Sequence, residues 1–572
     1  MTPVMLRASS LVWFDKQRFN IGLNMICSLN EVVRIFLAIM VLAVASFTVN
    51  AQSLLDAARK GDTDQIRSFV SDKADINSTQ ADGTSVLAWV VYNDDVGSVD
   101  LLLGVGADVN SANDLGVTPL SLACENGNAT IVSKLLQADA DPNIAKVTGV
   151  TPLMLCANIG ATAAVRDLIK KGADVNASEN NENQTALMWA AAEKYPQVVK
   201  LIVDAGGNVN TSSRIIPEPK PYIIDDENLV FGRNYPVTIR FPEFTGGFTA
   251  LYFAAQQNDV ESARILLDAG ADIDAANKEY GTPLIIALTS GHEDMARYLL
   301  DNGANPNVKD GWGITPLHYA LHKGVLVINT FKPSTTDRFG WERSNMPNMV
   351  RALLDKGADP EAKIEYSLPY HNDAFFSRSM EDPPQIDPVG ATPLLLAAVS
   401  GDVESMKILI NHGANKNAKT IGGGRLFMLA AGMGSEKGTR DQAQAIEAAK
   451  LSLTFGADIN GYLTDIAAVG PGKGMEDGRT ALHHAVYLGW TDMIKFLVKN
   501  GANLHAKDRY GMTPMLIAMG DPEGRLYRNI GVGNSDSRFR TPPPIESKKL
   551  SSLLLELGAE PYTGTYRDRS GE

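Results

Sequence analysis

The residues that could do chemistry are few and scattered. Among the eight histidines, His483 and His484 are the adjacent pair. Neighbours on a helix point about 100° apart, which argues against a shared metal ion. His371 lies near Asp373, but one ring and one carboxylate make neither a metal site nor a catalytic dyad without a third partner. The run Gly470-Pro471-Gly472-Lys473-Gly474-Met475 places a Lys after Gly, yet it lacks the following Ser or Thr and the upstream Gly of a phosphate-binding loop. Ile421-Gly422-Gly423-Gly424 does not follow a core strand, so it fails as a dinucleotide-binding turn. No Gly-x-Ser-x-Gly, His-Glu-x-x-His or Cys-x-x-Cys pattern occurs. No cofactor, metal or catalytic residue is therefore expected.

Bulk composition narrows the classes further. The chain has 572 residues, with 52 Lys+Arg against 66 Asp+Glu and a formal charge of −14. A net negative field repels phosphate backbones, so nucleic acid is not an expected partner. Apolar residues make up 44% of the chain, enough to build a core and unlike a disordered polymer.

The apolar run from Ile35 to Phe47 follows Arg34 and precedes Val49-Asn50-Ala51. Its length of about 13 residues suits an export signal, whereas a membrane-spanning helix needs about 20. Residues 1–51 read as a leader cleaved after Ala51, with Met25 a candidate true start, and no membrane span remains after cleavage. A retained anchor at residues 35–47 is the alternative. Cys124 and Cys156 then remain. Stacked helices lie about 8–10 Å apart, and a disulfide needs Cα atoms within about 7 Å, so two free, buried thiols are expected.

Two phased markers position everything else. Thr-Pro before an apolar residue occurs at Thr118, Thr151, Thr282, Thr315, Thr392 and Thr513, and Thr-Ala occurs at Thr185, Thr249 and Thr480, with intervals of 33 residues recurring. Gly-Ala-(Asp/Asn)-x-(Asn/Asp) or a near variant follows about 20 residues later, as at Gly106, Gly172, Gly270, Gly303, Gly413, Gly456 and Gly501. Thr accepts a hydrogen bond from the first free amides of a helix, and Pro suits the first helical position. A short helix ends at a glycine such as Gly291, a second helix ends at Gly303, and Asn and Asp turns lead into an extended finger. Lys73 and Asp139 stand where that second glycine belongs, in a left-handed position.

This pattern resembles the ankyrin repeat. Ile314-Thr315-Pro316-Leu317-His318-Tyr319-Ala320 and Arg479-Thr480-Ala481-Leu482-His483-His484-Ala485 are close copies of its signature. The resemblance implies an all-α repeat solenoid of helix-turn-helix units with β-hairpin fingers. About twelve repeats are expected, beginning near Ser53, Thr84, Val117, Val150, Gln184, Phe248, Gly281, Ile314, Ala391, Gly424, Arg479 and Met512. It also implies that His292, His318 and His483 brace turns, and that fingers and first helices line a concave binding face. The organisation read from these markers is repeats one to five over 52–213, repeats six to eight over 247–364 and repeats nine to twelve over 390–560. Inserts fall at 214–246, 324–346, 365–389, 434–444, 463–477 and 520–546, and 561–572 is a polar tail.

Two finger inserts combine prolines with aromatic rings. Tyr222, Phe231, Tyr235, Phe241 and Phe244 lie in the first, and Tyr366, Tyr370, Phe375 and Phe376 in the second. With Trp312 at an exposed finger tip, these are the candidate partner anchors, because rings supply large contact area at low entropy cost. The expected function is a monomeric, non-enzymatic scaffold, exported to a bacterial envelope, that binds another protein. The alternatives are a secreted effector that binds a host protein, and an enzyme whose site is built from the inserts around His371, Asp373 and Glu381.

Overall fold

The computed structural model describes residues 54–217, 244–328, 344–366, 389–420, 423–433, 440–463, 478–508, 511–519 and 547–563. It divides into two compact units, residues 1–174 and 175–572. In the first, four helix pairs follow one another: 54–60 with Thr63–Ser71, Val86–Tyr92 with Val96–Gly104, Pro119–Asn126 with Ala129–Gln137, and Pro152–Asn158 with Thr162–Lys170. The second unit opens with Ala186–Ala192 and Pro196–Asp204, then Ala250–Gln256 and Val260–Asp268, then Pro283–Thr289 and Glu293–Asp301. Repeat eight has Pro316–Tyr319, His322–Ile328 and Pro347–Asp355. Repeats nine to twelve supply Pro393–Ser400 with Val403–Asn411, Leu426–Ala430 with Gln442–Thr454, Ala481–Leu488 with Thr491–Lys499, and Pro514–Ala518 with Ser547–Glu556. Twelve repeats thus stand among the described residues, and the fold is an all-α repeat solenoid.

The Thr markers start the helices as expected. The hydroxyls of Thr118, Thr151, Thr185, Thr249, Thr282 and Thr513 accept from the third helical amide, which removes one orphan donor from each helix start. Where the third residue is His, the ring takes over. His318 Nδ1 accepts the Thr315 amide at 3.1 Å, and its Nε2 donates to the Ala362 carbonyl at 3.2 Å. His483 repeats this between the Thr480 amide and the Met512 carbonyl. His292 Nε2 lies 3.0 Å from the Gln256 carbonyl. His483 and His292 thereby tie one repeat to a neighbour, and His318 ties its helix start to the finger that closes its own repeat.

Within each unit, repeats bury their apolar residues against one another. Within the first unit, Leu87, Leu120 and Leu153 on first helices and Val99, Val132, Leu135, Val165 and Leu168 on second helices are buried. First helices pack on first helices and second on second. Asn residues then clasp the turns together: the Asn110 amide oxygen accepts the Asp141 amide at 2.8 Å while its Nδ2 donates to the Asp139 carbonyl. Asn143 does the same with Asp174 and Gly172, and in the second unit so do Asn210 with Asp272 and Gly270 and Asn307 with Asp359 and Gly357. The local turns expected at these residues are thus also joints between repeats. Lys73 and Asp139 adopt φ of 59° and 63°, the left-handed backbone their slots demand.

Cys124 and Cys156 correct the expectation of free thiols: they form a disulfide, with Cα atoms 4.6 Å apart. Helix axes stand farther apart than the Cα atoms that face one another between them. Each Cα lies about 2.3 Å off its axis, so atoms facing one another across axes about 8–10 Å apart approach to about 3.4–5.4 Å. The small residues of first helices allow this approach, and the bond joins repeats three and four inside the core, where both cysteines are buried.

Inserts grow from the bases of fingers. Past the Ser212 and Thr249 bridge, Ile216–Pro217 pairs antiparallel with Phe244–Thr245, continuing the hairpin outward. The insert after Ile364 leaves through Ile364 and Ala391, and the one after Leu463 through Leu463 and Arg479. The insert expected from Gly324 begins as a helix, His322–Ile328, packed on the first helix of repeat nine. Gly324 is necessary there, since a Cβ would lie 2.3 Å from the Leu396 carbonyl oxygen. Repeat ten, which lacks Thr-Pro, is held differently. Buried Arg440 donates to the carbonyls of Leu429 and Ala430 at the end of its first helix, and of Val399 at the end of repeat nine's. A cation there meets the negative ends of two helices.

Candidate functional site

In the first unit, the finger tips of repeats two to four form a continuous edge. Gly83, Gly116 and Gly149 turn the tips with positive φ. At Gly116 a Cβ would also lie 2.8 Å from the Ala145 carbonyl oxygen, so only glycine lets the next finger approach. The Asp114 amide donates to the Asp82 carbonyl at 2.8 Å and the Val147 amide to the Leu115 carbonyl at 3.0 Å. Asn113 Oδ1 fixes its own tip by accepting from Leu115 and Val117. The tips are thereby rigid, and their side chains project outward.

Opposite them stand the last turns of the first helices. Tyr92 packs edge-on against Trp89 with ring centres 5.6 Å apart, and Ile159 lies beside the turn at Gly127. Lys146 of the fourth finger forms an ion pair with Glu125 of the third first helix, which shows that finger and helix border one groove. Tyr92, Leu115, Val147 and Ile159 are all exposed large apolar residues. Asp82, Asp114 and Glu125 are exposed too, and Lys146 is the cation among them. Exposed apolar side chains and exposed carboxylates thus both stand on the fingers and first-helix ends of this unit. Sequence reasoning passed over these four residues. The available signal was an apolar residue at a finger tip, as in Asn113-Asp114-Leu115-Gly116, where burial offers no reason for one.

The residues singled out from sequence fare differently. Trp312 is a correction: it is buried, 6% exposed, and not an exposed tip. Its carbonyl accepts from the amides of Glu365 and Tyr366, and Tyr280 packs 6.3 Å from its ring. Its burial comes with packing between neighbouring fingers, such as the ring contact with Tyr280, which a reading of one finger at a time could not foresee. Phe244 is half-buried in the hairpin stem, and Tyr366 is exposed. Tyr222, Phe231, Tyr235, Phe241, Tyr370, Phe375 and Phe376 lie outside the described residues, as do His371, Asp373 and Glu381. Aromatic residues of repeats six and seven pack on one another, with Phe248 4.6 Å from Tyr252 and 6.0 Å from Tyr280.

Buried titrating groups serve the frame. Burial lowers His318 and His483 to about 4, which keeps both rings neutral near pH 7. Burial likewise lowers Arg440 to about 9, still charged near neutrality. Among the described residues, no group of three or more His, Cys, Asp or Glu side chains is placed to hold a metal ion. Nor is any described helix long and apolar enough to cross a membrane.

The family model for three copies of the ankyrin repeat matches residues 54–146, 138–213, 234–310, 251–364 and 442–524, and the single-repeat model matches 389–421. The chain belongs to the ankyrin-repeat family. It is 28% identical over 239 residues to an ankyrin repeat protein of Fowlpox virus, covering 40% of this chain and 51% of that one. It is 25% identical over 276 residues to the mouse B-cell lymphoma 3 protein homolog, 48% of each chain. Mouse Rabankyrin-5 is 28% identical over 204 residues, 33% of this chain and 16% of that protein. The chain spans about half the length of the first two relatives. Ankyrin repeats are scaffolds for binding other proteins, and that coarse function follows from membership.

Proposed function

We propose that this ankyrin array is exported and captures a protein partner through its fingers and first helices, without catalysis. The observation that carries the reading is the edge of hydrogen-bonded finger tips, which holds exposed apolar side chains rigid before any partner arrives and so lowers the cost of binding. Export is supported by the apolar run at 35–47 and by the Cys124–Cys156 disulfide, a bond that persists in oxidising compartments and is rare in the cytosol. The insert aromatics, including Tyr366 and Phe244, extend the binding surface beyond the fingers.

The test is a pull-down from envelope extract with the mature chain as bait, beside a variant carrying Phe231, Phe241 and Phe244 as Ala. Loss of specific proteins in the variant supports the insert anchors, and recovery of the same set removes them. Fractionation after osmotic shock checks the compartment. Retention in the cytoplasm overturns export, and appearance in the medium favours the secreted effector. Deleting 365–389 addresses the enzyme alternative, which gains ground only if a catalytic activity is found and disappears with that segment.

A further inference from the structure

We infer that the Cys124–Cys156 bond is made by thiol–disulfide exchange with an external disulfide before repeats three and four close on one another, and that closure then seals it from reductants. Both cysteines are 0% exposed. Exchange needs a thiolate to reach a sulfur, so a sulfur with no open side reacts only when its surroundings part. Neither residue offers that approach in the folded array. This order of events holds in any compartment that supplies a disulfide.

Reaching the sulfurs means opening the joint between repeats three and four. Pro119–Asn126 packs on Pro152–Asn158, and Ala129–Gln137 packs on Thr162–Lys170. Leu120, Ala123, Leu153 and Ala157, on the two helices that carry the cysteines, are buried with them. At the turns, Asn143 Oδ1 accepts the Asp174 amide at 2.8 Å and its Nδ2 donates to the Gly172 carbonyl at 3.0 Å. The joint is thus held in both helix layers and again at the finger base. An opening that breaks all of these at once is rarely populated in the folded state, so exchange after folding is slow.

Before closure the same reaction is easy. The two cysteines are 32 residues apart, and a flexible segment of that length brings its ends together far faster than thiols exchange. One thiolate attacks a sulfur of the external disulfide, forming a mixed disulfide and releasing one thiol. The second thiolate attacks the mixed disulfide, forms the Cys124–Cys156 bond and releases the other thiol. Two electrons and two protons have then passed from the cysteines to the external disulfide, which leaves as two thiols. Folding can close over the product, because Cα atoms 4.6 Å apart suit both the bond and the packing of the two helices. The oxidation state of the folded chain therefore records the conditions under which it folded, and later changes in the surrounding thiols leave it as it was.

The experiment measures exchange rates on the mature chain, folded and in urea, with free thiols trapped by a maleimide that adds mass on a gel. Each rate is divided by that of a free cysteine peptide in the same buffer. Glutathione disulfide should oxidise the reduced chain in urea about a hundredfold faster, or more, than the chain refolded under reductant beforehand. Dithiothreitol should open the bond of the folded, oxidised chain slower than in urea by a similar factor. Equal rates in the two states, in either direction, overturn the inference. The reduction arm starts from native oxidised protein and so decides even if the reduced chain does not refold. Asn143→Ala removes both bonds at the finger base and should raise the folded reduction rate about threefold or more while leaving the rate in urea unchanged. A folded rate indifferent to that change overturns this joint as the gate.

Discussion

Single residues carry the clearest energetics. Asp139 is held at φ 63° and its side chain is exposed, with a long ion pair to Lys171 at 3.4 Å that is worth little at the surface. Asp139→Gly should stabilise by about 0.5–1 kcal/mol through relief of the left-handed backbone, read as a higher melting midpoint; an unchanged or lower midpoint contradicts this. His318 and His483 make stability depend on pH with a definite sign. Their folded values, about 4, lie below the ordinary 6.5, so the unfolded chain binds more protons between those limits. Stability is complete above about 6.5, falls as pH drops from there to 4, and levels off below. In His318→Gln and His483→Gln together, the loss of urea midpoint between pH 7 and pH 4.5 should shrink, although the variant starts lower at pH 7. An equal loss in both proteins contradicts this. These rings were legible from sequence because the motif places them three residues after Thr. Trp312 was not legible, because its burial depends on packing between fingers, where the Tyr280 ring lies 6.3 Å away.

At the scale of elements, two devices hold joints that the repeat signature leaves weak. Arg440 replaces the missing helix-start logic of repeat ten with three bonds to helix-end carbonyls. Arg440→Met should cost about 2–4 kcal/mol, since those carbonyls lose charged donors in a dry setting, and Arg440→Lys should cost less. Denaturant midpoints of the two variants decide it, and equal stability of the Met variant and the parent contradicts the role. The disulfide is the second device. Reducing it, or changing both cysteines to Ser, should lower stability by about 2–4 kcal/mol for a loop of this size, measured as a midpoint difference with and without reductant. Helix pairs, their starts and their glycine ends were readable because each depends on residues within a few positions. The disulfide and the packing of His322–Ile328 on repeat nine were not, because both depend on how close two repeats come, a distance set by small side chains on each.

For the whole molecule, the formal charge of −14 bears on the kinetics of capture. Association with a basic partner should slow by roughly tenfold as ionic strength rises from about 0.05 to 0.5 M, while dissociation changes less. Stopped-flow rates that ignore salt contradict the electrostatic reading. An array in which each repeat touches only its neighbours frays from its ends and opens one step at a time. The bond from Cys124 to Cys156 changes that economy of opening, because it closes 33 residues into a ring. Any motor that threads the oxidised polypeptide through a narrow annulus must draw two strands abreast at that ring, so degradation begun from the N-terminus should stall there and leave a C-terminal remnant until the sulfurs are parted.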